Sequence, residues 1–154
     1  MKTTERLLTQ LMMMEGCRLV AYRDAAGKPT IGYGHTKGVR MGDRISKYWA
    51  KELLKQDIAY FESEVRKLGV ARSEGQLDAL VSLAFNIGMG RLQSSTLLKL
   101  IRGGGSKAQI KREFKRWVYA KGKRLRGLEL RREWEARRFF ESTLRTDADI
   151  VDNA

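Results

Sequence analysis

Apolar residues fall at helical spacing from the start of the chain. Leu7, Leu8, Leu11, Met12 and Met14 form the pattern, with Thr3 or Thr4 ahead of it as a cap and Gly16 ending it after Glu15. From Leu19 the period shortens. The segments 19–23 and 30–34 have strand character and flank a turn signalled by Gly27 and Pro29, which predicts a small antiparallel hairpin with a third strand near Val39 to Arg44. Gly32 and Gly34 weaken the second strand, a defect that close approach by another backbone or a ligand would explain.

The helical period then returns for the rest of the chain. Ser46 is placed to cap a long helix from Lys47 to about Leu68, with Tyr48, Leu53, Leu54, Ile58, Phe61 and Val65 as its apolar positions. At a rise of about 1.5 Å per residue such a helix spans roughly 30 Å, enough to join two lobes. Beyond Gly69, Ser73 with Gln76 and Ser106 with Gln109 read as capping boxes, Ser94 or Ser95 as a cap for 97–101, and a last helix runs from about Leu128 to Phe140. Trp49, Trp117 and Trp134 fall at helical spacing and read as core rather than as sugar-stacking platforms.

Composition narrows the class. A chain of 154 residues with 42% hydrophobic content and one proline suits one globular domain. Its single cysteine, Cys17, excludes a disulfide framework and reads as a small, partly buried residue; with one histidine as well, no metal or other cofactor is expected. No apolar run is long enough to cross a bilayer, and the N-terminus lacks the features of a signal peptide. The 31 Lys and Arg against 18 Asp and Glu give a net charge of +13, and residues 107–138, with 13 basic and 4 acidic side chains, contribute +9 of it. Such a balance favours polyanions, whether nucleic acid or an acidic cell envelope.

The candidate chemistry sits in residues 15–36, which hold the carboxyls of Glu15 and Asp24 and the hydroxyl of Thr30. A pair of acids is what glycoside hydrolysis requires, one to protonate the leaving oxygen and one to handle water or the cationic sugar. At the carbonyl end of a helix and beside methionines, Glu15 is expected to favour its protonated form, as a general acid needs.

The pattern Glu15-Gly-x-Arg-Leu-x-Ala-Tyr-x-Asp24-x-x-Gly-x-x-Thr30-Ile-Gly-Tyr-Gly-His35-Thr36 closely resembles the signature of the phage-type lysozymes, the endolysin muramidases. Eight residues separate Glu15 from Asp24 and five separate Asp24 from Thr30, as in that family. The likeness continues through 76–88, 95–98, 113–117 and 127–132. It implies an α+β, mainly helical, lysozyme-like fold: one domain over 1–154, with a small lobe at about 16–68 that carries a three-stranded antiparallel sheet and the connecting helix, a helical lobe at 1–15 and 69–145, and a frayed tail at 146–154. The reaction it implies is hydrolysis of the β-1,4 bond between N-acetylmuramic acid and N-acetylglucosamine in peptidoglycan. Glu15 would be the general acid, Asp24 the second carboxylate and Thr30 the hydroxyl that helps hold the attacking water. Inverting chemistry would set the two carboxyls roughly 6.5–9.5 Å apart.

By the same resemblance Gly34, Thr36, Phe85 and Thr96 are substrate-contacting positions, with Lys111 at a further one. His35 reads as a buried structural histidine, and either Arg131 or Arg132 as the arginine that reaches Glu15. Where the family usually has proline before Gly127, this chain has Arg126. The expected partners are peptidoglycan strands and the anionic envelope, with no specific nucleic acid and a monomeric state. The expected location is the host bacterial cytoplasm until release to the wall by a separate membrane-permeabilising partner. Two other classes compete on charge alone: a basic nucleic-acid-binding protein, and a non-catalytic module that binds the cell envelope.

Overall fold

A computed structural model describes residues 1–141. Helix α1 (Glu5–Glu15) starts at Thr4, whose side chain accepts the Leu7 amide, and stops at Gly16, whose φ of 67° ends the helix. Of the two candidate caps, Thr4 is the one used.

Strands β1 (Arg18–Arg23) and β2 (Pro29–Gly32) pair antiparallel, with Tyr22 opposite Thr30 and a register irregularity between Arg18 and Tyr22. The expected third strand is reduced to one isolated bridge, Val20 to Arg44. The reason is local: 36–43 turns twice, with the Thr36 carbonyl accepting the Val39 amide and the Arg40 carbonyl accepting the Asp43 amide, so only the residues from Asp43 on lie extended beside β1.

Helix α2 (Lys47–Lys67) begins at Ser46 as expected and packs β2 against its flank. Its inward stripe is Ala50, Leu54, Ile58 and Val65; Tyr48 and Trp49 point to solvent instead, and Trp49 is 54% exposed, against the expectation of a core position. Helix α3 (Glu74–Ile87) is buried almost all round, which marks it as the centre of the helical part. Ser73 caps it, but Gln76 accepts from the Arg72 amide rather than closing a box.

Short helices α4 (Met89–Gln93), α5 (Thr96–Arg102, capped by Ser95) and α6 (Lys107–Phe114) follow. In α6 the Ser106–Gln109 box is complete. Then comes a small hairpin, β3 (Tyr119–Ala120) and β4 (Lys123–Arg124), where the periodicity predicts only helix. Helix α7 (Arg126–Phe139) lies along α3 so closely that a Cβ on Gly75 would stand 2.5 Å from the Arg138 carbonyl.

Leu7, Leu54, Leu80, Leu97, Phe114 and Phe139 join all these helices but α4 into one core, to which α4 adds Leu92. Buried polar ties cross it. Asp78 on α3 accepts the Thr4 amide at 2.9 Å and stands 3.0 Å from Arg138 Nη2, so one carboxyl links the start of α1 to α7. Among the described residues no helix is long and apolar enough to cross a membrane. The tail expected at 146–154 lies outside the described residues.

Candidate active site

Glu15 closes α1, and its carboxyl is held between two distant elements. Arg131 of α7 donates from Nη1 to Glu15 Oε1 at 2.6 Å, which settles the choice between the two arginines. On the other side, a Cβ built on Gly34 would stand 3.4 Å from Glu15 Oε2. Gly34 has φ of 84° in the turn that Ile31 and His35 close by exchanging backbone hydrogen bonds. A glycine there meets both demands, a left-handed backbone and no atom between turn and carboxyl.

Arg131 is itself held. Its Nη2 donates to the Ser82 carbonyl at 2.9 Å, and its Nε reaches Glu135 Oε2 at 3.4 Å. Ser82 donates its hydroxyl to the same Glu135 oxygen, and Arg132 Nη2 donates to it at 3.2 Å. Arg132 Nε stands 2.8 Å from Glu135 Oε1, but too bent for a hydrogen bond, so that contact is Coulombic. Burial pushes the Glu135 carboxyl up and the Arg132 guanidinium down from their ordinary pKa values; each opposes the other's shift, with Arg131 and the Ser82 hydroxyl also favouring the Glu135 anion.

From the sequence, the surroundings expected of Glu15 are a helix end and methionines. The structure adds a full guanidinium charge in contact, and places Met13, one of those methionines, 74% exposed beside it.

Asp24 sits in the turn between β1 and β2. Its Oδ1 accepts the amides of Ala26 at 2.9 Å and Lys28 at 2.8 Å, an arrangement that aspartate provides readily in a turn. Its Oδ2 takes no hydrogen bond from any described residue. Thr30, 3% exposed, donates its hydroxyl to the Lys28 carbonyl at 2.9 Å and keeps its lone pairs available. Asp24 and Thr30 therefore meet on one residue, and β2 then leads through its end to Gly34 and Glu15.

Two hollows flank this line. One, of about 490 Å³, is lined by Gly34, Thr36 and Phe85 together with His35, Asp57 and Tyr60. The other, of about 730 Å³, holds Glu15 and Arg131 with Met13, Met14, Asn86 and Leu128. Thr96 is in neither; it lines a separate hollow of about 350 Å³ with Trp117 and Arg116. Lys111 is further off in character, with its ammonium over the Phe140 ring.

His35 is buried, as expected, with Nδ1 2.9 Å from Asp57 Oδ2 and Nε2 3.0 Å from the Lys37 carbonyl. Asp57 escaped the sequence reading because it sits 22 residues away on the polar side of the α2 pattern. Cys17 is exposed rather than partly buried: it lies in the short link between Gly16, where α1 stops, and Arg18, where β1 starts. It neighbours Tyr33, whose phenol is pushed up first by burial and then by that thiol.

The chain matches the family model described as phage lysozyme over residues 12–135. It is 41% identical over 150 residues to an endolysin of Acyrthosiphon pisum secondary endosymbiont phage 1, covering 92% of this chain and 99% of that protein. To a SAR-endolysin of Enterobacteria phage P21 it is 36% identical over 124 residues, covering 79% and 74%. Among solved structures it is similar to the endolysin from Escherichia coli O157:H7 phage FAHEc1, with a TM-score of 0.79, 34% identity and coverage of 95% and 98%. It is also similar to the muramidase domain of SpmX from Asticaccaulis excentricus, with a TM-score of 0.81, 28% identity and coverage of 92% and 99%. A helix-end glutamate facing a glycine turn, an aspartate in the adjoining hairpin and a family match across both carboxyls and Arg131 lead to one conclusion: the chain belongs to the phage lysozyme family.

Proposed function

We propose that this chain is an N-acetylmuramidase that hydrolyses the β-1,4 bond between N-acetylmuramic acid and N-acetylglucosamine in peptidoglycan and so lyses bacteria. Family membership supports a glycoside hydrolase of the cell wall, and the muramidase domain of the same fold supports the bond that is cut. The observation that carries the residue roles is the unequal holding of the two carboxyls. Glu15 has Oε1 committed to Arg131 and Oε2 facing the Gly34 turn, while Asp24 has Oδ1 committed to backbone amides and Oδ2 open.

In this reading Glu15 gives its proton through Oε2 to the glycosidic oxygen as the C–O bond breaks. Asp24 Oδ2 takes a proton from the attacking water, whose oxygen bonds to the anomeric carbon from the opposite face, and Thr30 accepts a hydrogen bond from that water. The chemistry is therefore inverting, and proton exchange with solvent restores both carboxyls. Arg131 keeps Glu15 aimed and offsets its charge once the proton has left.

Gly34, Thr36 and Phe85 form one wall for the sugars, and Thr96 a more distant contact. Residues 1–154 act as one domain in which the part at 16–68 and the part at 1–15 and 69–145 enclose the cleft. The enzyme works as a monomer, drawn to the anionic envelope by its charge, and stays in the host cytoplasm until another protein permeabilises the membrane.

Digestion of purified walls tests the bond directly. New reducing ends on N-acetylmuramic acid are expected; reducing ends only on N-acetylglucosamine, or none, would overturn the assignment. An NMR time course on a glycan oligomer tests the stereochemistry, with the α-anomer expected first and an initial β-anomer excluding inversion.

A further inference from the structure

The β3–β4 hairpin has an unusual backbone and two sets of contacts that link the candidate carboxyls. Its central residues, Lys121 and Gly122, have φ of 52° and 76°, the signature of a tight two-residue turn. Glycine or asparagine suits the first of these positions; Lys121 is the non-glycine residue with positive φ among those described. Its ammonium has a use that neither would supply. Lys121 Nζ donates to the Ala25 carbonyl, 3.4 Å away and 96 positions back in the chain, and Ala25 directly follows Asp24 in the turn that holds that carboxyl.

The base of the hairpin is fixed to α7. The Leu125 amide donates to the Val118 carbonyl at 2.9 Å, and Glu129 accepts from Arg124 Nε at 2.8 Å and from Arg126 Nη1 at 3.2 Å. Those two guanidinium groups hold the Glu129 carboxyl below its ordinary pKa, so it is anionic across the neutral range. Two residues further along α7 is Arg131, whose guanidinium holds Glu15. A continuous chain of contacts thus runs from Glu15 through Arg131, α7, Glu129 and Arg124 to Lys121, and so to the Asp24 turn.

We propose that the β3–β4 hairpin is a strut that sets the separation of the Glu15 and Asp24 carboxyls, with Lys121 and Glu129 as positioning residues for the hydrolysis. The inference rests on the acid-pair reading above. For an in-line displacement that must admit one water between carboxyl and sugar, that separation governs rate more than binding. Both ends of the strut are made of exposed ion pairs and hydrogen bonds, which add little to global stability, so they can be cut without unfolding the chain.

The test compares Lys121→Met, Lys121→Arg and Glu129→Gln in the full chain, with kcat and KM measured on a soluble glycan oligomer at low and high salt. Lys121→Met and Glu129→Gln should each lower kcat about two- to tenfold with little change in KM. Their combination should cost no more than the worse single change, because the contacts act in series. Lys121→Arg, which keeps a donor, should recover most of the rate, and thermal midpoints should stay within error of wild type. If Lys121→Met keeps full kcat and raises only KM, in a way that high salt abolishes, Lys121 is merely a charge for the wall and the strut is rejected. Glu15→Gln run alongside separates the two readings. An active Glu15→Gln removes the acid pair itself, whereas an inactive one beside a fully active Lys121→Met and Glu129→Gln rejects the strut alone.

Discussion

At the scale of single residues, the candidate acid is defined by what touches it. One oxygen of Glu15 meets a guanidinium whose other nitrogens are occupied by Ser82 and Glu135, and the second faces a turn with no side chain. Gly34→Ala therefore sets a methyl group against Glu15 Oε2 on a backbone at φ 84° that alanine disfavours. The expected result is a stability loss of about 1 kcal/mol in denaturant unfolding, with a fall in wall-clearing rate of about tenfold or more because a reacting group has been displaced. Unchanged clearing would show that the carboxyl does not need this approach.

Glu15, Asp24 and Thr30 stand out as candidates in the sequence because they lie within 16 residues and share one helix end and one hairpin. Arg131 was half readable. Two adjacent arginines point about 100° apart around a helix, so only the rotation of α7 against α3 decides which meets Glu15, and Arg132 turns to Glu135 and the Trp117 carbonyl instead. The exposed faces of Cys17 and Trp49 were misread for a related reason. Apolar character predicts burial only when another element arrives to cover it.

At the scale of elements, α7 carries both the arginine that aims Glu15 and the acid that holds that arginine. Glu135 is fully enclosed with Arg131 and Arg132. Glu135→Ala strips Arg132 of its counter-ion and leaves Arg131 with Glu15 alone, and should destabilise the chain by about 3–5 kcal/mol, seen as a lower denaturant midpoint. It should also reduce activity below that midpoint, since Arg131 loses one of its three anchors; activity matching wild type in the folded variant would separate the network from the site.

Helix starts were legible at this scale because Ser46, Ser73, Ser95 and Ser106 each accept an amide three residues on, a local interaction. The β3–β4 hairpin was not. Its four paired residues are all exposed and include Lys123 and Arg124, so no alternation of apolar and polar positions marks them, and only the glycine at 122 hints at a turn. The third strand failed for the opposite reason, since tight turns at 36–43 leave one residue to pair.

At the scale of the whole molecule, the positive charge divides between interior and surface. Of the basic residues in 107–138, Arg131, Arg132 and Arg138 are buried among Glu15, Glu135 and Asp78 and belong to the fold. The exposed remainder includes Lys115, Arg116 and Lys123, and in the proposed reading its field is what would draw the enzyme to an anionic wall. Raising ionic strength from 0.15 M to 1 M shortens the screening length from about 8 Å to about 3 Å, so clearing of whole walls should slow severalfold while hydrolysis of a short neutral glycan changes little. Equal sensitivity of both substrates would deny the field that role.

The proposed chemistry depends on Glu15 as the proton donor. Its most direct test is the rate at which purified Glu15→Gln, folded and at the same concentration as wild type, clears a suspension of bacterial walls. The substitution keeps size and hydrogen-bonding reach but removes the transferable proton. A loss of at least about a hundredfold is predicted, within the range for removing a general acid. Clearing at the wild-type rate would contradict the assignment and leave charge-driven disruption as the activity of the chain.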